Sequence, residues 1–363
     1  MDLAFVNGPI QNGPFTFQNA PGKAVGLLIA EALNDLLENP PARHLWNCVL
    51  LANDLRHRPL RGSITRAEFE ADQIRRKYRF SPWAGTAVRT ATDVDPAVCS
   101  LALDLIREGL ATGSLEIARE KIRICARCGH MAGAVAPPAC GGCGGGRFHA
   151  ESQRHLIATR LGGKPVLNAA DLYGGNNTKH LRGIASDVPE RLILSRKRDY
   201  GVDLDSVGLP GLVLDPRAAV HVTAMAEMRR LDAKRVVMTA TSEAIANIAA
   251  YGIPFRQSDG RCLLYGPHGR IPAAAVDMTN IDPQGRQRAL FRRWFLPLVV
   301  SGRTTDLHDS QITTVFTHFR KAFLLSGKEP GQDRRNVQKA IREADHRWPM
   351  DKFLLAAALR TTR

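Results

Sequence analysis

Four cysteines carry the plainest chemistry in this chain: Cys125-x-x-Cys128 and Cys140-x-x-Cys143. Each pair suits a tight knuckle, and eleven residues separate the pairs. This spacing lets four thiolates close a tetrahedron around one zinc ion. The intervening residues 129–139 are rich in Gly, Ala and Pro and hold almost no large apolar side chain. Such a segment cannot build a core, and a metal can hold it instead. Four sulfurs leave no open coordination position, so the expected zinc is structural. His130 and His149 are alternative ligands that the second cysteine pair makes unnecessary.

Other reactive side chains are scattered. Asp306, His308 and Asp309 fall within one helical turn, a pattern that caps a helix more readily than it binds a metal. Residues 141–146 are glycine-rich but overlap the second knuckle and lack a following Lys-Ser/Thr, which excludes a P-loop. Arg196, Lys197 and Arg198 can meet a phosphate or carboxylate, or form a solvated turn. Cys48, Cys99 and Cys262 read as ordinary reduced thiols.

The elements that must position these groups read as follows. Residues 3–6 predict a strand, followed by a Gly/Pro-rich loop with Asn12 and Gly13. Residues 24–37 have helical apolar spacing, and residues 46–51 a second strand ending near Asp54. Strand, loop, helix, strand opens a parallel α/β sheet. Ligands bind such sheets at the carboxyl edge, so the Asn12 loop and Asp54 are expected in one cleft. Residues 64–78 and 98–124 read as helices leading to the knuckles. A second series follows: strands at 192–194, 212–214 and 235–238, and helices at 219–231 and 242–251. Residues 289–363 read as mostly helical, with breaks at Pro297, Gly302, 327–330 and Pro349. The fold class is therefore α/β: a Rossmann-like parallel sheet in two halves with a zinc-knuckle insertion and a helical C-terminal region. The expected boundaries are 1–114 for the first half, 115–152 for the insert, 153–285 for the second half and 286–363 for the tail.

With 363 residues, 44% of them apolar, the chain can bury a sizeable core. No run approaches the ~18 apolar residues of a membrane span. Zinc-type cysteine use without a secretory leader predicts a cytoplasmic protein. The net charge of +15 points to a polyanionic partner. Residues 286–363 hold 16 Lys/Arg against 7 Asp/Glu, and such a basic helical face can meet a phosphate backbone or simply face solvent.

These pieces resemble the class I aminoacyl-tRNA synthetases, specifically the methionyl type. The opening Pro9-Ile-Gln-Asn12-Gly13-Pro-Phe-Thr16-Phe17-Gln18-Asn19-Ala20 is similar to that family's first signature, P-x-x-N-G-x-x-H-x-G-H. Val49-Leu-Leu-Ala-Asn53-Asp54 resembles its A-D-D segment, and the cysteine pairs resemble its knuckle. Leu194-Ser195-Arg196 and Tyr200-Gly201-Val202 look like its I-S-R…G-I-P segment, and Leu214-Asp215-Pro216 falls where it has W-x-D-A. The matches are collinear over roughly residues 1–325.

The resemblance implies a cleft for ATP and an amino acid, and tRNA as a partner. It puts Thr16 and Asn19 where two histidines bind ATP phosphates, and Gln18 where a glycine lies against adenine. Asn12 and Gly13 join that loop. Asp54 would hold an α-amino group or a ribose, and Asp215 would serve the amino-acid pocket. The second signature, K-M-S-K-S, is replaced by Arg270-Ile-Pro-Ala273-Ala274. Arg270 keeps one charge, while Ala273 stands for the second lysine. A Gln18 side chain occupies space that backbone contact with adenine requires. One lost electrostatic contact of this kind costs about 3–4 kcal/mol of transition-state stabilisation. Val213 and Val220 match positions where aromatic rings wrap methionine, so another amino acid is expected. The implied function is a diverged methionyl-type protein that binds or activates a non-methionine amino acid. If active, it would be an ATP-dependent, adenylate-forming ligase passing an aminoacyl group to a small nucleophile in specialised biosynthesis. The alternatives are a non-catalytic paralogue that binds tRNA and a zinc-ribbon regulator that binds nucleic acid.

Overall fold

The structure is a computed structural model that describes residues 1–8, 20–46, 65, 68–69, 72, 90–133, 138–140, 143–159, 169–174, 179, 181, 191–198, 200–255, 259–276, 285–303, 305–327 and 334–361. Most of the expected helix at 64–78 and of the expected strand at 46–51 lies outside the described residues.

The central sheet begins with β1 (Leu3–Asn7), whose five residues are all buried. Its side chains alternate between two cores, Leu3 and Phe5 on one face, Ala4 and Val6 on the other. Four more strands join it: β2 (His44–Trp46), β3 (Thr90–Thr92), β10 (Arg235–Thr241) and β11 (Cys262–His268). All pair in parallel, in the order β11-β10-β1-β2-β3. The chain runs outward from β1 in its first half and returns to β1's other side in its second. The order therefore reverses between β1 and β10.

Helix α1 (Val25–Leu36) covers one face. Helices α2 (Pro96–Thr112), α3 (Pro216–Arg230) and α4 (Ser242–Gly252) cover the other. Strand β2 reaches β1 only at Asn7, so the backbone of β1 further back needs another partner. The buried Asn34 of α1 supplies it: its Oδ1 accepts from Phe5 N at 2.9 Å and its Nδ2 donates to Phe5 O at 2.8 Å. Asn39 Nδ2 donates to Leu3 O at 2.7 Å.

Between the sheet halves stands an antiparallel sheet of β4 (Glu116–Cys125), β5 (Met131–Gly133), β6 (Phe148–Thr159) and β7 (Arg191–Ile193), ordered β5-β4-β6-β7. A two-stranded pair, β8 (Ser195–Arg196) and β9 (Val213–Leu214), follows. The helix expected over 98–124 is thus corrected. Gly113, at φ +76°, caps α2, and the chain continues as β4, with ten residues paired to β6. Ile122 and Ile124 alternate with charged residues at period two, which a strand uses and a helix does not.

The C-terminal helices are α5 (Arg286–Leu290), α6 (Leu296–Val300), α7 (Asp309–Leu325), α8 (Arg334–Arg342) and α9 (Lys352–Thr361). The expected break at Pro297 does not occur. A π-helical turn, Phe291–Phe295, joins α5 to α6, and the looser ladder accommodates the missing proline N–H. These helices share one core with α1 and β1. Arg334 donates to Leu36 O and Asp35 O at 3.3 and 2.7 Å, and Gln338 to Leu36 O at 3.1 Å. Arg334 is therefore tied to the end of α1, where a cation suits the helix dipole. The His346 ring is wedged between two glycines, Gly174 and Gly302, where an added Cβ would approach it to 2.0 and 2.1 Å. Its Nε2 donates to Tyr173 O at 3.1 Å, and Tyr173 Oη donates to Ile341 O at 2.5 Å.

Asn34→Ala leaves two buried backbone groups of β1 without partners. It is expected to lower stability by at least about 2 kcal/mol. Denaturant melts of the two proteins, with m unchanged, check this.

Candidate functional site

A cleft of about 530 Å³ opens at the carboxyl edge of the sheet, where the strand order reverses. Three strand ends build it. Asn7 and Gly8 close β1, Ala240 and Thr241 close β10, and His268 closes β11. Glu243 and Ala244 of α4, Ala20, Gly22 and Lys23 before α1, and Arg270, Ile271 and Ala273 after β11 complete the described lining.

The floor is fixed by Gly26 in the first turn of α1. A Cβ there would lie 2.6 Å from Asn7 Oδ1, 2.9 Å from His268 Nε2 and 3.3 Å from Thr239 O. Only glycine lets α1 sit this close. Thr239 Oγ1 donates to Gly26 O at 2.8 Å and so ties α1 to β10. Asn7 Nδ2 contacts His44 Nδ1 at 2.7 Å. His268 Nδ1 donates to Gly269 O at 2.9 Å, which leaves Nε2 with its lone pair in the neutral ring. Burial holds the His268 pKa below its ordinary value, against the pull of the Gly269 carbonyl. The ring is therefore neutral at pH 7.

The rim carries charge. Arg270 Nη2 donates to Glu243 Oε1 at 3.0 Å, and both side chains are exposed. Burial lowers the Lys23 pKa. The Arg270 turn is clamped from behind. Arg270 N donates to Asp306 Oδ1, and Leu307 N to Arg270 O, both at 2.8 Å. Gly269 permits this approach, since a Cβ there would meet Thr305 O at 2.2 Å. Asp306 thus serves this turn, while His308 occupies the N-cap of α7.

Asn12, Gly13, Thr16, Gln18, Asn19 and Asp54 lie outside the described residues. Both flanks of the Asn12 loop, Gly8 and Ala20, line the cleft together with Arg270 and Ala273. Asp215 is not part of this described lining. Its buried carboxylate caps α3 and binds two arginines: Oδ2 accepts from Arg196 Nε at 2.5 Å, and Oδ1 from Arg217 Nε and Arg217 N, each at 2.9 Å. Burial opposes its ionisation, but Arg217 and Arg196 hold its pKa well below the carboxylate range. Sequence reading missed Asn7, Lys23, Thr241, Glu243 and His268. The available signal was position alone, at or just past the carboxyl end of a strand or, for Lys23, just before α1.

The second site is the cysteine cluster. The four Sγ atoms of Cys125, Cys128, Cys140 and Cys143 lie within 4.8 Å of one another. Cys125–Cys143 and Cys128–Cys140 are each 3.6 Å apart. A tetrahedral zinc with bonds of about 2.3 Å separates its sulfurs by about 3.8 Å, so this donor set fits one such ion. Burial opposes ionisation of the Cys125 thiol, but backbone N–H groups of Cys128 and Arg127 hold its pKa below the ordinary thiol value. Turns Gly129 N→Cys125 O and Gly144 N→Cys140 O close the two knuckles at 2.9 and 2.8 Å.

No protein-family profile matches this chain, and no curated protein matches it. Solved structures do. The arrangement is the fold of a class I aminoacyl-tRNA synthetase. The likeness is to methionyl-tRNA synthetase of Mycobacterium tuberculosis. The crystal structure bound by methionyl-adenylate matches at TM-score 0.57 and 13% identity, over 98% of this chain and 82% of that one. A second complex with methionyl-adenylate matches at 0.56, 13%, 98% and 82%. The apo crystal structure matches at 0.56, 13%, 98% and 80%. At this identity the fold is what is shared. Among the described residues, no helix is long and apolar enough to cross a membrane.

His155, buried beside Ser195 Oγ at 2.8 Å, is lowered from 6.5 to about 4 by burial and then by Arg196. The unfolded chain takes up this proton first, so the stability His155 contributes is expected to fall as pH drops from about 6.5 to about 4. The Asp215 contribution is present above its unfolded value near 3.8 and is lost below it. Urea melts across this range check both. Asp215→Asn at pH 7 should cost about 3–5 kcal/mol, because it strands two arginines.

Proposed function

We propose that this protein binds an amino acid other than methionine in the Asn7–Arg270 cleft and activates it with ATP. The aminoacyl group would pass to a small nucleophile, and the enzyme would be an adenylate-forming ligase. One observation carries the reading. The cleft lies at the switch point of a fold whose relatives are solved with methionyl-adenylate, and its rim holds Lys23, Arg270 and Glu243 together. The two cations suit a phosphate, and the carboxylate suits an α-amino group. Lys23 would take the charge that the family's second signature lysine takes, since Ala273 stands in that lysine's place. The four-part division at 114, 152 and 285 belongs to this reading, as does a structural zinc held by Cys125, Cys128, Cys140 and Cys143.

ATP–pyrophosphate exchange over a panel of amino acids tests the activity. Exchange is expected with one amino acid that is not methionine. Arg270→Ala and Lys23→Ala should each lower it by about 10²–10³. Silence across the panel, with no ATP heat by calorimetry, would sink the ligase. A tRNA arm in the same assay tests that acceptor. For the metal, elemental analysis should return one zinc per chain, and chelation or Cys125→Ser should unfold the knuckles while leaving the parallel sheet folded.

A further inference from the structure

The cleft sorts its polar groups by depth. Lys23, Glu243 and Arg270 stand at the rim, and the last two are exposed and paired with each other. The described floor is neutral. Asn7 and His268, 3% and 8% exposed, each present one polar atom beside Gly26. The Asn7 Nδ2 group can only donate, and it gives a hydrogen to His44 Nδ1 at 2.7 Å. Its Oδ1 is thereby left over. His268 Nδ1 donates to Gly269 O, so Nε2 carries a lone pair in the neutral ring. A Cβ at Gly26 would lie 2.6 Å from Asn7 Oδ1 and 2.9 Å from His268 Nε2. Both acceptors thus stand within a hydrogen-bond length of one point. Neither has a hydrogen-bond partner among the described residues. Thr239 O, 3.3 Å from the same point, already accepts from Gly8 N at 2.8 Å.

Buried acceptors without donors cost free energy, so this pair is built for a group that supplies them. A thioether leaves both unpaired. A carboxylate sets its own lone pairs against theirs. A hydroxyl has one hydrogen for two acceptors. An ammonium brings charge to a neutral floor below Lys23 and Arg270, and it loses its hydration there. An uncharged planar –NH2 brings two hydrogens and no charge.

We propose that Asn7 Oδ1 and His268 Nε2 read the –NH2 of a side-chain carboxamide, so that the bound amino acid is of the glutamine or asparagine type. The inference rests on the reading of this cleft as an amino-acid site. The rim then serves the charged end of the ligand, with Glu243 toward its ammonium and Lys23 and Arg270 toward its carboxyl end. The uncharged side chain goes to the uncharged floor. Asn7 and His268 set specificity in this arrangement and take no part in bond making. The exocyclic amine of a purine is a group of the same kind, and the test separates the two.

Titration calorimetry on the full chain, with and without ATP, tests this with L-glutamine, L-asparagine, L-glutamate, L-aspartate and L-methionine. One amide should bind at least about tenfold more tightly than its isosteric acid and than methionine. This comparison uses wild type alone, so it stands even if a variant folds poorly. His268→Leu should weaken the amide about tenfold and should not weaken methionine. His268→Gln, which restores an acceptor, should recover most of that loss. Asn7→Leu should narrow the preference for the amide to a similar degree. Binding without a preference for either amide overturns the proposal, as does no heat from both. A preference that survives both leucine variants overturns it too, since the floor would then hold only water. Adenosine bound more tightly than inosine, with neither amide bound, would give the floor to a purine amine and overturn it likewise. Pyrophosphate exchange separates this inference from the ligase. Amide-selective binding without exchange sinks the ligase and keeps the floor, whereas exchange with an amino acid that has no amide keeps the ligase and sinks the floor.

Discussion

The missing side chain at Gly26 is the constraint on which the rest of the cleft depends. Helix α1 must start almost in contact with the ends of β1, β10 and β11, because Asn7 Oδ1, His268 Nε2 and Thr239 O crowd the place a methyl would need. The two sheet halves come from distant parts of the chain, yet they are registered against this one turn. Thr239 reinforces it by donating to Gly26 O while its strand pairs with β1. Asn34, two turns further along α1, supplies the ladder bonds that β2 does not. Helix placement and strand pairing are thus one problem solved by a few polar atoms. The cleft is the space left beyond them.

The antiparallel insert obeys a different logic. Its own apolar core is small: Ile122, Ile124 and Met131, with Ile193 packed beside them. Its far end is organised by four converging sulfurs instead of by burial. Where it joins the body, Asp215 holds Arg196 of β8 and Arg217 of α3 together, and Arg217 lies 3.4 Å from the centre of the Tyr251 ring. A fully buried carboxylate between two guanidiniums fixes the angle at which β8 and β9 meet α3. The aspartate that resembles a ligand-binding residue of the methionyl type thus has two arginine partners of its own.

What could be read from the sequence follows from the range of each interaction. The cysteine cluster was legible because ligand spacing is local, with two residues between the members of each pair. The two series of strands and helices were legible because β1, α1, β10 and α4 have unambiguous apolar periods. Residues 113–124 were misread because Ile117, Ile122 and Ile124 can be fitted to a helix if Gly113 is overlooked. Pro297 misled because a π turn can absorb it. Strand β11 passed unnoticed, since its Gly266 and Pro267 look like a turn, yet it pairs with β10 along its full length. Lys23, Glu243 and His268 carry no motif at all. Only the parallel order of the strands brings them within reach of one ligand, and that order is set by contacts spanning more than two hundred residues.

The ring of His346, held between Gly174 and Gly302, has a consequence for how this protein could have diverged. The terminal helices are keyed into the body by a fitted imidazole, by the Tyr173 hydroxyl and by the arginine that closes α1. They cannot be exchanged like a detachable recognition module. Change in that region is confined to its outer surface, where side chains can drift without disturbing the lock beneath.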